Sequence, residues 1–325
     1  MRNGDSYMYS AEINRKQPAL LLLLIDESFS MNETWGDTAQ SKATVLATAV
    51  NNLLANTVVL CTRGNDQVHN YFEVGVLGYG AEVRSLLHGT DEARLILPIE
   101  QVAKHPKRVD TVQKKEYDGA GGVVTVDHMM PVWVDASANG RTPMVAGFSM
   151  AEPLIAAWCA EHPASFPPII MNITDGYSTD GDPYDVAHRI SELGTDDGTA
   201  LVFNLHLSGS GVPVCFPHTD AALPDANARM LFRASSELPP MMLEAAATDY
   251  PVQAGSRGFL YNAPAPTVID FLDIGTRSVT PHPPAQWDDM SILGFPGAES
   301  TDPDEDFSDT ATGSDALDDP GQRWT

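Results

Sequence analysis

A continuous apolar run near the N-terminus is the strongest pattern in the chain. Residues 19–25 are one alanine, five leucines and an isoleucine, and the run stops at Asp26. Hydroxyls follow at alternate positions, in Ser28 and Ser30. An unbroken apolar run of this length is typical of a central parallel strand with helices on both faces. Because ligands gather beyond the carboxyl ends of such strands, we expect a polar site there.

The rest of the chain alternates between strand-like and helix-like patterns. Further strands are predicted at 71–80, 168–174, 200–207 and 258–261, and helices at 41–54, 144–160, 183–193, 226–235, 240–247 and 267–272. Residues 81–87 are expected to return as an antiparallel partner of the strand at 71–80. This alternation predicts an α/β fold with a doubly wound, mostly parallel central sheet and helices on both faces.

The length of 325 residues and the pattern predict one large domain with an extension at each end. Residues 1–12 are predicted to form an N-terminal arm and residues 13–280 the domain. Residues 281–325 are rich in proline and acids and are predicted to be a disordered tail. Within the domain, residues 98–140 show little periodicity. They are predicted to be a long insertion beside the polar site, because they lead directly to Thr142.

The charge and the cysteines limit the choice of partner and compartment. The formal net charge of -25 argues against a nucleic acid or an anionic membrane as the main partner. Three widely spaced cysteines argue against a disulfide framework, and the apolar run at 19–25 is too short to span a membrane. We therefore expect a cytoplasmic protein. Five basic residues of the insertion leave open a solvated loop or a patch for an acidic partner: Lys104, Lys107, Arg108, Lys114 and Lys115.

Two later segments complete a motif with the first. Thr142 and a proline stand on a loop just before a helix, and the strand at 168–174 ends at Asp175 and a glycine. Asp-x-Ser-x-Ser, a distant Thr-Pro and a Thr-Asp-Gly after an apolar strand resemble the metal-ion-dependent adhesion site of von Willebrand factor A domains. The resemblance covers about residues 19–207. Its three parts occur in order, which makes it more specific than any single part.

The resemblance implies a divalent cation, Mg2+ or else Mn2+ or Ca2+, at a site formed by Asp26, Ser28, Ser30, Thr142 and Asp175. It implies direct binding by the two serine hydroxyls, direct or water-bridged binding by Thr142, and water-bridged binding by the two aspartates. Neutral hydroxyl ligands leave most of the cation's charge unneutralised, so an Asp or Glu of a partner protein can complete the coordination. The expected function is a metal-dependent protein-binding or scaffold module and not an enzyme.

Two shorter segments show a weaker resemblance. Residues 72–80 and 257–259 resemble intracellular bacterial proteins of this family that are associated with tellurite resistance. That resemblance implies a scaffold that works with a Ser/Thr kinase and a metal-dependent phosphatase of the PP2C type in bacterial signalling or stress response.

Two other functions remain open at this point. Asp26 could be the nucleophile of a metal-dependent phosphotransferase related to haloacid dehalogenases, which carry a second acid two residues later. Here that position is Ser28, and a hydroxyl is a poor general acid at neutral pH. Alternatively, the chain is a structural subunit with an unused site, in which the same residues cap strand ends and helix N-termini.

Overall fold

The structure is a computed structural model, and it describes residues 8–35, 39–63, 67–91, 93–117, 122–207, 211–263, 267 and 271. The strands are β1 (Ala19–Asp26), β2 (Thr62–Arg63), β3 (Gln67–Val68), β4 (Phe72–Tyr79), β5 (Val83–Ser85), β6 (Leu97–Pro98), β7 (Arg108–Tyr117), β8 (Val123–Val132), β9 (Ile169–Thr174), β10 (Gly194–Thr195), β11 (Gly198–Thr199), β12 (Leu201–His206), β13 (Val214–Cys215) and β14 (Phe259–Tyr261). The helices are α1 (Lys42–Cys61), α2 (Ile99–Lys104), α3 (Met144–Glu161), α4 (Tyr184–Glu192), α5 (Ala226–Arg233) and α6 (Pro240–Ala246), with a short 3-10 helix at Phe29–Asn32. The predicted tail at 281–325, most of the arm at 1–12 and most of the predicted helix at 267–272 lie outside the described residues.

An eight-stranded sheet forms the centre of the described structure. Its order is β13-β14-β12-β9-β1-β4-β5, and β6 also pairs with β4. Strand β1 runs parallel to both of its neighbours, and β12 and β14 continue the parallel part. The chain builds outwards from β1 to β4 and then crosses back to β9 on the other side. This arrangement confirms the predicted doubly wound sheet, and the pairing of β5 with β4 confirms the predicted antiparallel return.

Apolar clusters cover both faces of the sheet, as expected for a strand without alternation. All residues of β1 are buried. Leu21 and Leu23 belong to a cluster with α1 and α6, whereas Leu22 and Leu24 belong to a second cluster with α3, α4 and α5. Burying each such side chain stabilises the fold by about 1.5–3 kcal/mol relative to leaving it exposed. The polar end of β1 is therefore held in place by a core on each side.

Helix α1, with 20 residues, is the longest of the described helices. Among the described helices it alone is long and apolar enough to cross a membrane by length and composition, but most of it is buried against the sheet. It extends to Cys61, beyond the predicted end at residue 54. The β-branched residues in this part lower its intrinsic helix propensity, but Thr57 and Cys61 are buried, and this packing outweighs the propensity.

The insertion at 98–140 contains more structure than its sequence predicts. Its first part, α2, belongs to the core, because Ile99 and Val102 are buried. Its middle part is a two-stranded antiparallel ribbon in which β7 and β8 pair over their full length. The chain then returns to the core at Trp133, whose ring N–H donates to the carbonyl of Val102 over 2.7 Å. Asn51 of α1 also accepts from the backbone N–H of Trp133, so the insertion is anchored to the first helix.

Candidate metal centre

Two backbone hydrogen bonds bring the loop that carries Thr142 to the end of β1. The N–H of Phe29 donates to the carbonyl of Gly140 over 3.1 Å. The N–H of Asn139 donates to the carbonyl of Glu27 over 2.6 Å. Gly140 has a φ of +91°, and a Cβ at this position would collide with the backbone of Ala81. A glycine is therefore required where this loop approaches the turn between β4 and β5.

The predicted hydroxyl ligands lie close together. Ser28 Oγ and Ser30 Oγ are 3.1 Å apart, and the Ser30 hydroxyl donates to Asp175 Oδ1 over 2.6 Å. A Cβ placed on Gly176 would lie 3.7 Å from Thr142 Oγ1 and 4.0 Å from Ser30 Oγ. Thr142 thus faces the same small space as the serines. The structure brings together side chains from three segments that are far apart in the sequence.

Asp26 lies behind the hydroxyls with both of its oxygens hydrogen-bonded. Oδ1 accepts from the backbone N–H of Ser28 over 2.8 Å, and Oδ2 accepts from the Thr174 hydroxyl over 2.6 Å. Burial raises the pKa of Asp26 to about 6 although these hydrogen bonds lower it, and the charge of Asp175 raises it further. A nearby positive charge would therefore stabilise the ionised form of the buried Asp26 carboxyl group.

Lys42 is a charged member of the site that sequence reasoning missed. Its ammonium lies 2.8 Å from Asp175 Oδ2 and 2.9 Å from Glu33 Oε2. The Lys42 and Asp175 side chains are 4% and 0% exposed, whereas that of Glu33 is 68% exposed. Burial lowers the pKa of Lys42, but the two carboxylates outweigh burial and the pKa is raised. A lysine in the first turn of a helix is unfavourable, because its charge opposes the helix dipole. This unfavourable position was the one signal in the sequence that Lys42 pairs with a specific acid.

The residues fit a hard divalent cation with hydroxyl ligands. Two oxygens bound at right angles to Mg2+ at 2.0–2.1 Å lie about 2.9 Å apart, close to the 3.1 Å between the two serine hydroxyls. Both oxygens of each aspartate already accept a hydrogen bond, which suits acids that act through water. Within the described residues there is no group of three or more His, Cys, Asp or Glu side chains that could hold a metal ion. The site therefore depends on its hydroxyls.

Two exposed aromatic residues flank the candidate ligands. Phe29 stands between the two serines in the sequence and is 71% exposed, and Tyr177 follows Asp175 by two residues and is 61% exposed. Their positions next to the predicted ligands in the sequence mark a candidate contact surface, because aromatic residues are enriched at binding interfaces.

The basic residues of the insertion have acidic partners within this chain. Lys104 pairs with Glu100, and Lys107 and Arg108 both pair with Asp135. The side chains of Lys114 and Lys115 lie outside the described part of the structure. Local neutralisation favours the solvated-loop alternative for the first three residues over a patch for an acidic partner.

No family model and no curated protein matches this sequence. Solved structures with a similar fold include two of proximal thread matrix protein 1 from the mussel byssus, one of them with a zinc-occupied MIDAS motif. Their identities are 14% and 15% and their TM-scores 0.39 and 0.38, over 70% of this chain and 43% of theirs. The pilus adhesin SpaC from Lactobacillus rhamnosus GG has 12% identity and a TM-score of 0.45, over 81% of this chain and 31% of its own. We draw no argument about function from likenesses this distant.

The buried carboxyl of Asp26 predicts a pH dependence of stability in a chelator. The folded pKa of about 6 lies above the ordinary 3.8, so the folded state binds the proton more tightly than the unfolded state does. The contribution of Asp26 to the free energy of unfolding is fully present below pH 3.8 and is lost as the pH rises through about 6. The expected change is about 3 kcal/mol. Urea denaturation of the parent and of Asp26→Asn at several pH values measures it. A parent protein whose stability relative to Asp26→Asn does not fall over this interval would contradict the assignment.

Proposed function

We propose that this chain is a von Willebrand A-like, divalent-metal-dependent protein-binding module, with an acidic side chain of the partner completing the coordination. The observation that carries the proposal is the cluster in which the Ser28 and Ser30 hydroxyls lie 3.1 Å apart and Ser30 donates to Asp175, with Asp26 hydrogen-bonded to the backbone of Ser28. The bound cation would supply an electrophilic centre at the surface. We also propose that the module binds rather than catalyses.

The charges around the site support an anionic ligand from outside. Asp26 and Asp175 together contribute two negative charges, and the buried Lys42 offsets one of them. A divalent cation then leaves the centre with a net positive charge of about one, apart from the exposed and screened Glu33. A partner carboxylate is the protein group that neutralises this charge and also provides a hard oxygen ligand.

The surroundings indicate which acid a partner would present. Phe29 and Tyr177 expose apolar rings beside the predicted ligands. An Asp or Glu with apolar neighbours would contact the cation and these rings at once, and aromatic residues of this kind are frequent hot spots of binding. We therefore expect a partner acid within an apolar patch rather than within an acidic run.

The phosphotransferase alternative has less support from the geometry. A nucleophile needs an accessible oxygen, whereas Asp26 is 1% exposed and both of its oxygens accept hydrogen bonds. Hydrolysis of a generic phosphate ester by the purified chain with magnesium, lost in Asp26→Asn, would favour that alternative.

Capture of a partner with and without a chelator tests the proposed function. The parent chain as bait should retain a partner in Mg2+ and release it in EDTA. Thr142→Val, which removes a predicted ligand but keeps the side-chain shape, should retain much less. Thr48→Val is the matched control, because Thr48 lies on the exposed side of α1 and its hydroxyl donates to Thr44 O. A partner retained equally by both variants and in EDTA would refute the proposal.

The finer proposal concerns the kind of partner. We propose a scaffold for a Ser/Thr kinase and a PP2C-type phosphatase, and its support is the sequence resemblance at residues 72–80 and 257–259. Proteins released by EDTA from the captured complex, identified by mass spectrometry, should include a kinase or a phosphatase. Eluates with neither class would overturn this finer proposal while leaving the metal-dependent binding intact.

A further inference from the structure

A second polar cavity lies at the opposite end of the sheet from the candidate metal centre. Its volume is about 260 Å³, and it lies between α4, the end of α5 and the segment before β14. Ser236, one of its lining residues, exchanges hydrogen bonds with Val202 near the start of β12. Because β12 and β14 run parallel to β9, the cavity opens at the amino ends of strands whose carboxyl ends point towards the metal centre.

The lining of this cavity is basic in an otherwise acidic chain. Arg233 and Arg257 line it together with His188, Tyr184 and Ser236, and no lining residue that the structure describes is an Asp or Glu. The chain as a whole carries a formal net charge of -25. Two guanidinium groups that line one cavity repel each other, and a bound anion offsets this repulsion. Glu192 lies 3.7 Å from His188, but its side chain is 67% exposed and it is not part of the lining. This local reversal of charge favours an anionic ligand.

Arg257 is held in position by the core. Its Nη1 donates to the carbonyl of Ser235 over 2.6 Å, and its guanidinium carbon lies 5.3 Å from the centre of the Phe232 ring. The Ser235 hydroxyl is itself fixed, because it donates to the carbonyl of Leu231 and accepts from Asn204 of β12. A stacked guanidinium loses little freedom when it binds a ligand. Arg257 also forms an ion pair with Glu237 at 3.8 Å, but the Glu237 side chain is 63% exposed, so this pair is weak and leaves the guanidinium able to bind another anion.

We propose that this cavity binds the phosphoryl group of a small anion, either inorganic phosphate or a phosphate monoester. Arginine is the preferred residue for phosphate, because its planar fork donates two parallel hydrogen bonds. The donors come from two segments of the chain, Arg233 and Ser236 from the end of α5 and the residues after it, and Arg257 from the segment before β14. The Ser236 hydroxyl accepts from Val202 N and so keeps its own hydrogen to donate. A tetrahedral anion uses donors from several directions, whereas a planar carboxylate uses fewer.

Calorimetric titration in EDTA tests this site independently of the metal centre. Inorganic phosphate and O-phosphoserine are titrated in separate arms, and acetate is a third arm. Binding of either phosphate compound supports the proposal, and the tighter of the two identifies the source of the phosphoryl group. Binding of neither, or binding of acetate as tight as that of phosphate, would overturn it. Because EDTA removes divalent cations, failure here is distinct from failure of the proposed protein-binding function.

Substitutions in the same experiment locate the ligand. Arg233→Gln removes an exposed guanidinium that lines the cavity, and it should weaken phosphate binding about tenfold or more, as expected for a lost hydrogen bond to a charged group. Arg257→Gln should do the same, but it also removes contacts to Phe232 and Ser235. Arg189→Gln is the matched control, because Arg189 lies on α4 outside the cavity and pairs with Glu152. Equal weakening by Arg189→Gln and Arg233→Gln would refute the assignment.

Discussion

Replacing Lys42 by methionine is expected to destabilise the metal-free protein by about 3 kcal/mol and at the same time to tighten its binding of a divalent cation. The two effects have one cause. The Lys42 ammonium lies 2.8 Å from Asp175 Oδ2, and both side chains are almost completely buried. Without the ammonium, Asp175 is an uncompensated buried charge in the folded state. The same loss removes a positive charge that repels the incoming cation.

Urea denaturation in EDTA and in Mg2+ measures both effects. The deficit of Lys42→Met should shrink as the metal saturates, by about 1.4 kcal/mol for each tenfold by which the variant binds the metal more tightly than the parent does. Glu33→Gln is the matched control, because it removes the exposed partner of the same lysine and should cost less than about 1 kcal/mol. Equal losses in the two variants, or weaker metal binding by Lys42→Met, would show that Lys42 does not act as the internal counter-charge of Asp175.

Removal of the hydroxyl ligands is expected to have the largest effect on metal affinity. Ser30→Ala deletes a predicted direct ligand and also leaves Asp175 Oδ1 without the hydroxyl that donates to it over 2.6 Å. Even outer-shell substitutions cost about tenfold to a hundredfold in metal affinity, so this one should cost at least that much. Thr142→Val should weaken binding less, because it leaves the Ser30–Asp175 contact intact.

Isothermal titration with Mg2+ gives the order of affinities. The expected order is parent, then Thr142→Val, then Ser30→Ala, with Thr48→Val indistinguishable from the parent. Circular dichroism should show that every variant is folded. If Ser30→Ala binds Mg2+ as tightly as the parent does, the hydroxyls are not ligands.

The fold was predictable because its strongest signals are local. The unbroken burial of β1 follows from an unbroken apolar run, and the parallel pairing of the central strands follows from alternating strands and helices. The ribbon of β7 and β8 was missed for the opposite reason. Its strands are largely exposed, with Val109 at 48% and Met129 at 68% exposure, so no buried face imposes a readable period on the sequence.

The candidate site was partly predictable for a related reason. Ser28, Ser30 and Asp175 follow apolar strands directly, so their convergence follows from the parallel sheet. The contact of Lys42 with Asp175 joins residues 133 positions apart and depends on the position of α1 against β9. The hydrogen bond from Thr174 to Asp26 depends on the register of the neighbouring strands β1 and β9. Such pairings are properties of the tertiary packing, which no local pattern reports.

A crystal structure of the parent chain in Mn2+, with the metal located by anomalous scattering, tests the central claim most directly. The predicted result is one peak within about 2.1–2.3 Å of both Ser28 Oγ and Ser30 Oγ, with Asp26 and Asp175 reaching it through water. A neighbouring molecule's carboxylate, or a water in its place, should complete the coordination on the side of Phe29 and Tyr177. A peak bound directly by Asp26 and Asp175 without the serine hydroxyls, or no peak between these segments, would contradict the account.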